Sequence, residues 1–119
     1  MDIISVAQQI ESKIKTLEQG RKLLQERAEN KANTIAEYEK ALAKILIKLR
    51  NGITFEFEGE KIKDPPATIT EKIARGLVYK ERIAMDLAES EYKNAIEGLR
   101  CIEAELNGWQ SINRYLSEK

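Results

Sequence analysis

The residues of this 119-residue chain that could do chemistry are its carboxylates, and their spacing argues against catalysis. They fall in pairs at Glu37/Glu39, Glu89/Glu91 and Glu103/Glu105. Two residues apart on a helix, such pairs point to different faces, so they share neither a proton nor a metal ion. The chain contains no histidine, which removes the usual general base near neutral pH and the usual metal ligand. Cys101 is the only cysteine, so neither a zinc cluster nor an intrachain disulfide can form. A di-iron bundle built on Glu-x-x-His is equally excluded. No GxxxxGK[ST] or GxGxxG run is present to cradle a phosphate. The expectation is a protein that is not an enzyme and carries no cofactor.

Binding residues are easier to find. Lys40, Lys44 and Lys48 form a basic ridge at i, i+4 spacing, joined by Arg50. They suit a phosphate or an acidic partner, although Glu37 and a nearby acidic segment also suit a solvated face. In that segment Phe55 and Phe57 alternate with Glu56 and Glu58, which gives one apolar and one acidic face able to dock a partner. Arg75, Lys80, Arg82, Arg100 and Arg114 could contact a small anionic ligand. Trp109 sits at a heptad position and reads as core, and Cys101 reads as a small buried hydrophobe.

The elements that must position these groups are mainly helical. Residues 1–50 carry a heptad stripe: Ile3, Ala7, Ile10, Ile14, Leu17, Arg21, Leu24, Ala28, Lys31, Ile35, Tyr38, Leu42, Ile45 and Leu49. All but Arg21 and Lys31 are apolar, which predicts one long helix over about 2–50 laying a seam on another helix. Gly20 is its weak point, and Asn51-Gly52 its stop. Alternation over Ile53–Phe57, then Glu58-Gly59, predicts a β-hairpin over about 53–63 with Phe57 facing Glu60 and Phe55 facing Ile62. Its apolar face must fold back on the helix ends or meet a partner, since a lone hairpin is marginal in water. Asp64-Pro65-Pro66 ends it. Thr68-Ile69-Thr70-Glu71 then reads as a capping box that opens a second helix over about 66–117. The stripe of that helix is Ile73, Leu77, Ala84, Ala88, Tyr92, Ala95, Leu99, Ile102, Leu106, Trp109 and Leu116.

Two long helices joined by a short tip must run antiparallel, so the expected fold class is mainly all-α. It is a single helical-hairpin domain, a coiled coil with a β-hairpin at its tip, assembling into a helical bundle. Folding about residues 58–59 brings Arg21 near Glu97 and Lys31 near Asp86, pairs that would set register and direction. A second apolar face of the later helix (Ile69, Ile83, Ile96, Ile112) lies off that seam and needs another chain. The chain is therefore expected to be its own partner, as a homodimer or larger.

Twenty basic and twenty acidic residues cancel, so no whole-molecule field draws the chain to nucleic acid or a membrane. With no apolar run of membrane-spanning length and no positive leader at Met-Asp-Ile-Ile-Ser, the expected location is the cytoplasm. In outline, two long helices joined by a hairpin resemble a prefoldin-type subunit. The stretches DPPATITEKIARGL (64–77) and LNGWQSINRYL (106–116) resemble small helical accessory proteins of Firmicutes phages and prophages. The latter resemblance implies an inhibitor or adaptor that binds another protein. Two alternatives stand beside it: a module for a small anionic ligand such as a nucleotide, or for nucleic acid, and a prefoldin-like holdase.

Overall fold

Asp2 opens the first helix. The Ser5 amide donates to its carboxylate at 2.7 Å, satisfying an otherwise unpaired donor of the first turn. In the computed structural model, which describes residues 2–118, helix α1 then runs unbroken over Ile3–Arg50 and passes straight through Gly20. It ends in a Schellman motif. Gly52 takes φ +76°, its amide donates to the Leu49 carbonyl (3.2 Å), and the Ile53 amide donates to the Lys48 carbonyl (3.0 Å).

Strands β1 (Phe55–Phe57) and β2 (Glu60–Ile62) pair antiparallel. Their register is the expected one: Phe55 opposite Ile62, Glu56 opposite Lys61, Phe57 opposite Glu60. Glu58 (φ 49°) and Gly59 (φ 83°) are both left-handed, as a primed two-residue turn requires.

The second helical region departs from its expected course. It divides at Val78 (φ −102°, ψ 28°) into α2, Ala67–Leu77, and α3, Tyr79–Ser117. The Thr68 capping box does not form. Pro66 is the N-cap and makes no side-chain cap bond, which places Thr68 already inside the helix. Thr70 instead donates back to the Pro66 carbonyl at 3.0 Å, and Glu71 accepts from Arg75. From Tyr79 on, α3 is continuous through Gly98 and Gly108.

The chain gathers into two compact units, one from Met1–Glu29 with Ser90–Lys119 and one from Asn30–Glu89. In the first, α1 and α3 run antiparallel, tied by Lys13–Glu105 and by Arg27 donating to Glu91 at 2.8 Å. Val6, Leu17 and Leu99 are buried there and Ile10, Leu24, Ile102, Leu106 and Trp109 half-buried. In the second, Leu49, Thr70, Ala74, Val78 and Ala88 are buried where α2 and the start of α3 return to the end of α1.

The stripe on α1 is rotated from the expected one. Ile10, Leu17 and Leu24 face inward, but Ile3, Ala7, Ile14 and Arg21 are exposed, and Val6, Lys13 and Gly20 take their places. A helix of 3.6 residues per turn drifts from a 3.5 repeat, and Lys13 can lay its methylenes along a seam while its ammonium reaches Glu105. On α3, Met85 rather than Ala84 turns inward, and Cys101, expected to be buried, is exposed. Among the described residues no helix is long and apolar enough to cross a membrane.

Candidate functional site

The hairpin, the end of α1 and the α2–α3 junction belong to the second unit, and they build its largest depression. A cavity of about 410 Å³ is walled by Ile45, Phe55, Phe57, Leu77 and Tyr79 and rimmed by Glu56, Glu58, Glu81 and Lys80. Each wall has a local cause. Strand alternation turns Phe55 and Phe57 to one face and Glu56 to the other. Phe57 then meets Tyr79 edge to face, with ring centres 5.9 Å apart and planes at 66°. The break at Val78 sets Tyr79 in the first turn of α3, and Tyr79 stays exposed beside the groove. The result is an aromatic floor with carboxylates at its edge, open to solvent.

Of the expected partner-binding residues, the structure brings Phe55, Glu56, Phe57 and Glu58 together around this groove. Lys40 and Lys44 lie in a separate shallow depression with Glu37, Ala41 and Glu81, so carboxylates flank these two lysines on their own face. Arg50 lines a third depression with Asp64, Thr70 and Glu71. Lys48 is exposed in the last turn of α1.

The expected anion contacts are engaged along their own helices. Arg75 pairs with Glu71 at 2.7 Å, Arg82 with Asp86 at 3.4 Å, and Arg100 with Glu97 at 2.8 Å. Arg82 also lies over the Tyr38 ring, 5.9 Å from its centre. The Tyr38 side chain and Asp86 hold its guanidinium above the ordinary value. Arg114 donates to Ser111 at 3.5 Å, and Lys80 sits on the rim of the aromatic groove. Arg21 is exposed. The cross-helix ion pairs of the first unit are Lys13–Glu105 and Arg27–Glu91, with Glu97 taken by Arg100 and Asp86 by Arg82.

Sequence reasoning missed Ile45, Leu77 and Tyr79 as walls of the groove, because heptad position marks a residue as core without saying what else it borders. It also missed a cavity of about 320 Å³ in the first unit, lined by Gly20, Leu23, Arg27, Glu91, Gly98 and Leu99 among others. The glycines were its only signal. Among the described residues no three Cys, Asp or Glu side chains come together as a metal site. No protein family, no curated protein and no solved structure matches the chain.

Proposed function

We propose that this chain is a non-enzymatic protein-interaction factor whose β-hairpin groove takes an apolar, basic segment of another protein. The observation that carries the reading is the juxtaposition of the Phe55–Phe57–Tyr79 floor with the Glu56, Glu58 and Glu81 rim. An aromatic floor supplies contact area at low entropic cost, and a carboxylate rim selects positive charge and speeds encounter. The resemblance to phage accessory proteins, where such a factor acts as an inhibitor or adaptor, agrees with this. An anionic-ligand module has less support, because Arg75, Arg82 and Arg100 already hold carboxylates.

The test is affinity capture from bacterial lysate with the tagged chain and with a Glu56→Lys/Glu58→Lys variant, read by mass spectrometry. One stoichiometric protein retained by the parent and lost from the variant supports the reading. Equal retention by both, or a released nucleotide with no protein, overturns it.

A further inference from the structure

Four large apolar residues of α3 stand open to solvent: Ile83 at 53%, Leu87 at 60%, Ile112 at 36% and Tyr115 at 58%. They share one stripe. Steps of three and four residues from Leu87 pass Ser90, Asn94, Gly98, Cys101, Glu105 and Gly108 before reaching Ile112, and every one of these is exposed. In a chain that is 34% charged, only Glu105 carries charge here, and Lys13 neutralises it. Arg82, Asp86, Lys93, Glu97 and Arg100 all fall to the side of the stripe.

The glycines add an independent observation. A β-carbon on Gly20 would meet Leu99 at 2.9 Å, so packing within the chain uses that glycine. A β-carbon on Gly98 or Gly108 would meet nothing within 4 Å. Glycine is unfavourable in a helix interior, and nothing inside this chain uses the missing side chain at either position. Both lie on the stripe, where they admit the close approach of another backbone.

We infer that this stripe is the contact surface for α3 of a second copy, running antiparallel about a two-fold axis between residues 99 and 100. About that axis Leu87 faces Ile112 of the second copy and Ile83 faces Tyr115. Ser90 meets Gly108, Gly98 meets Cys101, and Asn94 donates to Glu105. Apolar thus meets apolar and small meets small along the whole stripe. Charge agrees with the same axis. Glu97 and Arg100, paired at 2.8 Å within one chain, sit on one flank beside it, and the antiparallel arrangement sets each against its opposite in the second copy. A parallel arrangement would set like charges together. The contact is isologous and closes at a dimer. It gives the oligomeric part of the proposed function a specific surface, and it is independent of the hairpin groove.

The test uses the full chain. Sedimentation from low to high micromolar concentration is expected to show a monomer–dimer equilibrium. In a Cys101→Ser background, a mixture of Leu87→Cys and Ile112→Cys chains is expected to cross-link with a short bismaleimide, while neither chain alone does so. Gly98→Glu is expected to weaken association about tenfold or more with unchanged helicity, since it buries two unpaired carboxylates at the axis. Leu87→Glu, at an exposed position, is the second disrupting variant and is expected to act the same way. A monomer at every concentration, cross-linking of Leu87→Cys chains with themselves, or a dimer indifferent to both charge variants overturns the inference. The Glu56→Lys/Glu58→Lys variant is expected to keep the parent mass, so failure at the groove and failure at this surface are told apart.

Discussion

Leu99 occupies the place where a β-carbon on Gly20 would stand: one built there lies 2.9 Å from Leu99 Cδ2 and 3.5 Å from Ile102 Cδ1. Gly20 is therefore a packing notch on α1 into which the buried Leu99 fits. Gly20→Ala gains up to about 1 kcal/mol of helix propensity but pushes the Leu99 methyl toward the neighbouring cavity. Its expected net effect in urea unfolding is within about 0.5 kcal/mol of zero, and Gly20→Ile is expected to lose about 1–3 kcal/mol by overpacking. Gly76→Ala, where nothing lies within 4 Å, is expected to gain about 0.5–1 kcal/mol. Equal responses at positions 20 and 76 would refute the notch.

The hairpin turn tolerates a left-handed glutamate at Glu58 (φ 49°), where asparagine is better suited. Glu58→Asn is expected to stabilise the hairpin by about 0.5–1 kcal/mol, read as slower amide exchange across the β1–β2 ladder. At the end of α1 the reverse holds. Gly52→Ala puts a side chain at φ +76° with its β-carbon 3.2 Å from Asp64 Oδ1, and an expected loss of about 1–2 kcal/mol follows. Thermal melts of the two variants should move in opposite directions.

Phe57 and Tyr79 are the contact that holds the hairpin on α3. A double-mutant cycle with Phe57→Leu and Tyr79→Leu is expected to give a coupling of about 0.5–1.5 kcal/mol, as edge-to-face pairs do. Coupling near zero would mean the hairpin stands off the helix.

Across the first unit, Arg27 and Glu91 make an ion pair with both side chains near half exposure. Their coupling is expected to be about 0.2–1 kcal/mol at low salt and to fade toward zero in molar salt, measured by a cycle through Arg27→Gln and Glu91→Gln.

Asp2 gives the first turn of α1 a pH dependence. The Ser5 amide holds its carboxyl below the ordinary value of 3.8, so the cap is fully in place above that value and is lost as pH falls through the depressed folded-state value. Amide-exchange protection in the first turn should drop between about pH 5 and about pH 2 in the parent chain. In Asp2→Ala it should be low at both. A pH-independent first turn in the parent would contradict the cap.

Much of the architecture was legible residue by residue. Asn51-Gly52 marked the helix stop, because a left-handed position after a helix strongly favours glycine. Glu58-Gly59 between alternating segments set the strand register, because an odd slip would turn Phe55 and Phe57 to the wrong face. The same alternation placed Phe55, Glu56, Phe57 and Glu58 in one candidate site. Local stereochemistry settles these features within a few residues. Other features needed the tertiary structure. Val6, Lys13 and Gly20 face inward instead of Ala7, Ile14 and Arg21, because one residue is about 100° of helix and the choice depends on Leu99 and Glu105, about eighty residues away in sequence. The break at Val78 places Tyr79 against Phe57, and the exposure of Cys101 depends on which side of α3 meets α1. Sequence periodicity thus determined the helices, the hairpin and their antiparallel order. Long-range packing decided which atoms of those helices face each other, because side-chain fit is a property of two surfaces together.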